Sequence, residues 1–315
     1  MQNDITQHPA YYYNAPKKPI IRKHGTILCD MVETAPIVFK DVLYRFESVR
    51  QKSVNPANPD PEGRAFFRFV DVKTNAQSSP FGYDHHFGSA FAEAGFVAVT
   101  GVKGVGSDTV TVYRSEDLES WEETDVTFPG MKCYNTNLCK KDGKYIMLIE
   151  CEEGVPFTFR FAESENLKNW SLLPDEYIFN KDRYAGGPAI YTLPDDPYYY
   201  VLYLELCPPM FFTNSIARSK NLKNWQYSLL NPVLIHDEND KLIANPDLTP
   251  DERERIARAL DINNSDIELC EYKGRTIIYY SWGCQHGIEF LAEASFEGTK
   301  KEFLQGFFGD WPKFE

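Results

Sequence analysis

The chain has 315 residues, of which 43% are hydrophobic and 15% aromatic, and it carries a formal net charge of −13. That length allows two average domains, but all-β propellers and barrels of this size also run as one, and the aromatic content suits packed sheets. The negative charge argues against nucleic acid or an anionic membrane surface as a partner, because binding phosphate needs a basic face.

Residues 1–20 read as a polar, Pro- and Tyr-rich arm, and residues 21–315 as a single domain. Met1 to Pro9 lack the charged-then-apolar layout of a secretion signal, and no apolar run approaches eighteen residues. The seven cysteines include no Cys-x-x-Cys pair and read as reduced thiols. A cytoplasmic location is expected, with a periplasmic one as the alternative if a leader precedes the chain.

From Glu33 onward, strand-like runs alternate with tight turns. The hairpins expected are Glu33 to Glu47 around Lys40-Asp41, His86 to Thr100 around Ala94-Gly95, and Asn135 to Glu150 around Asp142-Gly143. Two more run from Gly187 to Glu205 around Pro194-Asp195-Asp196, and from Asp266 to Trp282 around Lys273-Gly274. A third strand follows each hairpin, and then usually a recurring phrase, Ser-x-(Asp/Asn)-Leu-x-x-Trp. It begins at Ser115, Ser164 and Ser219 and ends at Trp121, Trp170 and Trp225. Five units of about fifty residues predict an all-β, five-bladed β-propeller. The tryptophans are expected to fill seams between blades. One interruption, at about 249–260, reads as an inserted helix before the last blade: Thr249 as N-cap, Pro250 next and Glu252 three residues on form a capping box.

In a propeller, the start of each blade's first strand and the end of its second ring one funnel. The starts are Glu33, His86, Asn135, Gly186 or Gly187, and Asp266; the ends are Glu47, Thr100, Glu150, Glu205 and Ser281-Trp282. A polar, acidic ring is more than core packing requires and suits a polar ligand. Each residue has a structural alternative. Asp266 and its Asx neighbours can cap a turn, His86 can pack, Glu150 and Glu205 can pair with an arginine such as Arg183, and Trp282 can be core. The functional expectation is that Glu33 and Asp266 act as base and electrostatic partner, and that Glu205 or Glu150 is the general acid with a raised pKa. His86, Asn135, Asp182, Arg183, Tyr184 and Trp282 are expected to contact a sugar. Facing carboxylates are the apparatus of glycoside hydrolysis, and no phosphate loop, dinucleotide fingerprint, His-Glu-x-x-His or nucleophile elbow competes.

Several phrases resemble the five-bladed propeller glycosidases of the family 43 and family 32 group, and more closely a bacterial branch of it. They are Phe157-Thr-Phe with Ser164 to Trp170, Asp182-Arg-Tyr184, Asn263 to Glu271, Tyr279-Tyr-Ser-Trp-Gly283 and Glu289 to Ala294. The resemblance runs from about residue 30 to 310. It implies a carbohydrate substrate, an exo-acting glycosidase on a short oligosaccharide, no required cofactor, and a structural Ca²⁺ at the propeller axis with His86 as its candidate ligand. The family 43 pattern has an Asp heading blades one and three and a Glu before Pro in blade four. Here those positions hold Glu33, Asn135 and Gly186-Gly187-Pro188, so the family's triad does not carry over. A non-catalytic sugar-binding propeller remains an alternative, as does a phosphorylase or lyase; a phosphorylase would have only Arg183, Lys181 and His86 to bind phosphate.

Overall fold

The computed structural model describes residues 17–153, 155–208, 210–285 and 287–309, and strands supply most of its regular structure. Antiparallel meanders follow one another along the chain. The first is β2 (Ala35–Phe39), β3 (Val42–Val49) and β4 (Phe66–Asp71). The second is β5 (His86–Ala92), β6 (Val97–Val102), β7 (Thr109–Ser115) and β8 (Glu122–Thr127), and the third is β9 (Cys133–Lys141), β10 (Lys144–Glu153), β11 (Val155–Ser164) and β12 (Ser171–Leu172). Then come β13 (Gly186–Thr192), β14 (Tyr199–Cys207), β15 (Phe211–Ser219) and β16 (Trp225–Tyr227), and last β17 (Asn263–Tyr272), β18 (Arg275–Gly283) and β19 (Glu289–Phe296). The last two meanders share one sheet through a parallel bridge between Phe212 and Asn263.

The hairpin turns follow their residues. Lys40 and Asp41 both have positive φ, as do Asp142-Gly143 and Lys273-Gly274, which is the twist-matched geometry of two-residue hairpins. One strand was not legible in the sequence: β1 (Arg22–Cys29) pairs antiparallel with β19, so the first strand completes the last meander.

The recurring phrase folds the same way each time. In its first copy the Ser115 hydroxyl accepts from the Leu118 N–H (2.8 Å), and the Asp117 carboxylate accepts from Glu119 (2.9 Å) and Ser120 (2.7 Å). The leucine takes positive φ in all three copies. Trp121 then stacks on Phe81 of the preceding meander, with ring centroids 3.9 Å apart, and Trp225 stacks on Phe161 at 6.0 Å. Trp170 packs against the apolar cluster between the second and third meanders, so each tryptophan is seam packing, which buries apolar area between neighbours.

Five apolar clusters lie at successive seams, and the last, with Ile27, Met31, Val49, Phe66, Tyr279 and Leu291, joins the final meander to the first. Between β16 and β17 lies α1 (Pro250–Arg258), whose Thr249 hydroxyl and Glu252 side chain make the reciprocal capping box. A second helix, α2 (Lys300–Gly306), has the same device at Thr299 and Glu302 and had no place in the sequence reading.

The first strands of all five meanders surround a common axis. Their starts line a cavity of about 470 Å³, and their far ends line a second one of about 250 Å³. Between the two, the Glu268 carboxylate accepts hydrogen bonds from Ser89 (2.9 Å), Asn137 and Tyr191 (2.6 Å), which come from three different meanders.

Candidate active site

The larger cavity is built by bulges. The ladders of β5, β13 and β17 shift register after His86, Gly186 and Ser265, and the residue that follows takes positive φ: Phe87 (57°), Gly187 (50°) and Asp266 (49°). Glu33, just ahead of β2, takes φ 53°. A bulge re-aims a side chain, and left-handed backbone at non-glycine residues is strain typical of functional sites. Glu33, His86, Phe87, Asn135, Gly187 and Asp266 all line the cavity.

Gly187 is the hinge of the electrostatics. Its N–H donates to Glu150 Oε2 (2.8 Å), which also accepts from Asn135 Nδ2 (3.0 Å). On its other side, a β-carbon at Gly187 would lie 2.6 Å from Asp266 Oδ1. A side chain here would strike the Asp266 carboxylate, so glycine is what lets Asp266 and Glu150 approach from opposite sides. Ser265 Oγ donates to Asp266 Oδ2 (3.0 Å), and Arg50 Nη1 donates to Glu289 Oε2 (2.8 Å) on the neighbouring wall.

These carboxyls hold protons unusually well. Burial, and then the charge of Asp266, raise Glu33 well above the carboxylate range; Arg50 opposes this. Burial pushes Glu150 up to about 7 despite its two donors, and burial with the charge of Glu289 pushes Asp266 up to about 6. This has a consequence for stability. A raised folded-state pKa means the native chain binds more protons than the unfolded one, so stability falls as pH climbs from about 4.5 through 7. Glu150→Gln removes that penalty. The variant should unfold at higher denaturant than wild type at about pH 8, by on the order of a few kcal/mol, and match it near pH 4. Equal stability at both pH values would show that Glu150 ionises freely.

One wall is aromatic. Phe87, Tyr134, Phe157 and Tyr184 follow one another edge to face, with centroids 5.8, 4.9 and 5.8 Å apart. The opposite wall carries Glu33, Ser48, Arg50, Gln51, Asp266 and Glu289. An apolar face set against a polar face suits a sugar ring, which has both.

No family model matches the chain, and no curated protein matches it in sequence. Solved structures do. An α-L-arabinofuranosidase from Podospora anserina, in complex with cellotriose, aligns at TM-score 0.56 and 10% identity over 89% of this chain and 93% of its own. A family 32 β-fructofuranosidase from Bombyx mori aligns at 0.56 and 10%, over 93% of this chain and 66% of its own. A glycoside hydrolase family 43 protein from Bacillus licheniformis aligns at 0.56 and 13%, over 87% and 54%. The chain has the fold of the propeller glycoside hydrolases.

Within this propeller, six of the expected site residues share the cavity: Glu33, His86, Asn135, Glu150, Tyr184 and Asp266. Four stand elsewhere. Glu205 accepts from Ser215 Oγ (2.6 Å) and Tyr203 (3.1 Å) and lies 3.6 Å from Arg183. Alternation along β14 sends Leu204 to the cavity and Glu205 to the other face. Asp182 and Arg183 are exposed, with Arg183 over the Tyr227 ring rather than in the funnel. Trp282 is fully buried, stacks on Phe290 at 4.5 Å and donates to Thr26 Oγ1 (2.9 Å), so it is core and not a sugar platform. Glu47, at the end of β3, is likewise taken up, by Arg45 and Arg68 at 2.6 Å each.

Glu289, Arg50 and three rings of the aromatic arc line the cavity without being among the residues expected there. Third strands also begin at the funnel end, which is where Glu289 and Phe157 sit. A ruler made only of first-strand starts and second-strand ends skips them. As for Ca²⁺, the axial carboxylate Glu268 has its oxygens taken by three donors, and among the described residues no three His, Cys, Asp or Glu side chains gather as ligands. The groups at the axis are arranged to satisfy one another and do not fit a cation.

Proposed function

We propose that the chain is a five-bladed β-propeller glycosidase that removes a terminal sugar by carboxylate acid–base catalysis. The observation that carries this reading is the convergence of Glu33, Glu150 and Asp266, from three different meanders, on one cavity with an aromatic wall. Glu150 is the general acid: its raised pKa keeps it protonated near neutrality, and Asn135 and Gly187 fix its orientation. Asp266, the more acidic of the two, is ionised at the same pH and takes the proton of the attacking water. Glu33 stays neutral beside it and can donate a hydrogen bond. The glycosidic C–O bond breaks as the leaving oxygen takes the Glu150 proton, and the water oxygen bonds to the anomeric carbon.

Several sugars deserve trial, because the similar folds include an arabinofuranosidase and a fructofuranosidase. The test is a panel of arabinofuranosides, xylosides and fructofuranosides, with release of free sugar measured against pH. Turnover should peak between about 6 and 7, falling on the acid side as Asp266 is protonated and on the alkaline side as Glu150 ionises. Binding without turnover at any pH would leave a sugar-binding propeller instead.

A further inference from the structure

The funnel's rim has an unusual composition. Among the described residues, the connections between second and third strands lie at the cavity end: Gln51, Val105 and Gln285, on three of them, line the cavity, as does Leu204 near the end of β14. Four of these five connections expose a large aliphatic residue. Val54 lies between β3 and β4, Val105 between β6 and β7, Met210 between β14 and β15, and Ile288 between β18 and β19. Their exposures are 44%, 67%, 57% and 50%. The fifth connection, between β10 and β11, lies outside the described residues.

Single exposed aliphatics are ordinary, but one on each described connection around a single mouth makes a rim. Val54 and Val105 also line the cavity, so the rim is continuous with the aromatic arc below it. Three branched aliphatic side chains and a thioether give sugar hydroxyls no good hydrogen bond and give a sugar ring no π-face to stack on. What they reward is apolar surface taken out of water. The polar wall sits deep, with Glu33 and Asp266 at the strand starts, and the apolar collar sits outside it. That order matches a molecule with a sugar at one end and a hydrocarbon at the other.

We propose that the substrate is a glycoside with an apolar aglycone, aryl or alkyl, whose sugar enters the cavity while the aglycone lies on the Val54, Val105, Met210 and Ile288 rim. This rests on the glycosidase reading for its chemistry, but the binding half stands separately. On cleavage the aglycone leaves as an alcohol or phenol, its oxygen carrying the proton from Glu150.

The experiment uses methyl, octyl and phenyl glycosides of arabinofuranose, xylose and fructofuranose, with binding followed by calorimetry and release of free sugar by chromatography. For at least one sugar, the octyl and phenyl glycosides should bind about tenfold or more tightly than the methyl glycoside. The double variant M210D/I288D, at the two rim residues that do not line the cavity, should lose that gain while keeping the methyl glycoside's affinity. Octyl binding no better than methyl, a gain that survives in the double variant, or no binding by any member would each overturn the proposal. Tight octyl binding with no sugar released would support the apolar rim and remove the glycosidase reading. Sedimentation velocity of both proteins completes the test: a wild-type dimer that M210D/I288D dissociates, with no change in alkyl preference, would assign the rim to a second copy of this chain and overturn the aglycone proposal.

Discussion

Asp266→Asn and Glu150→Gln should each lower turnover of a cleaved alkyl glycoside on the order of 10²- to 10⁴-fold, and the pattern of losses across leaving groups should tell the two roles apart. Both replacements keep the shape of the side chain. Asn at 266 can still meet Ser265 and clear Gly187, and Gln at 150 can still accept from Asn135 and the Gly187 N–H. What each variant loses is a proton transfer. A leaving group of low pKa, such as nitrophenolate, departs without help, so Glu150→Gln should be nearly harmless on a nitrophenyl glycoside and severe on an alkyl glycoside. Asp266→Asn should be severe on both, because water must still be activated. Comparable losses on both substrates for Glu150→Gln would move the general acid elsewhere, with Glu33 the next carboxyl in the cavity. The alkaline limb of the pH profile should disappear in Glu150→Gln, since the group that ionises at about 7 is gone.

The sequence disclosed the scaffold because the scaffold is local. A Ser hydroxyl and an Asx side-chain oxygen closing the same turn after 115, 164 and 219 leave a repeat that can be read by eye, and hairpin turns such as Asp142-Gly143 announce their own geometry. The first strand did not show, because its partner, β19, lies at the far end of the chain and nothing nearby marks it. The site was half legible for a related reason. First-strand starts could be placed from the repeat, and these brought out Glu33, Asn135 and Asp266. A bulge shifts which residue turns inward, so in the second meander it is Phe87 that takes positive φ, one residue after His86. At second-strand ends the two-residue period decides everything: one residue's displacement separates Leu204 in the cavity from Glu205 among Ser215, Tyr203 and Arg183. Propensity and spacing carry no information on which side of that alternation a carboxylate falls.

The same alternation governs Trp282, and there its consequence is thermodynamic. Ser265 pairs with Ser281 and Asn264 with Trp282, so successive residues of β18 face opposite ways, and Trp282 faces the seam with the fourth meander, its indole reaching Thr26 of β1. It is fully buried, packed on Phe290 and hydrogen-bonded to Thr26, which itself donates to the Asp240 carbonyl (2.8 Å). Trp282→Ala should therefore cost on the order of 3–5 kcal/mol in urea unfolding, through lost apolar burial and the cavity left behind. Trp282→Phe keeps most of the packing and gives up the N–H donor. It should cost clearly less, with about 1 kcal/mol coming from the lost hydrogen bond. Neither change should alter the affinity of the folded protein for a sugar. A Trp282→Ala protein as stable as wild type but impaired in binding would place the indole in the funnel after all. Because β1 is the strand that joins the chain's beginning to its last meander, the loss should be cooperative, with one unfolding transition that shifts as a whole. A separate early transition would mean that β1 peels away while the other meanders hold.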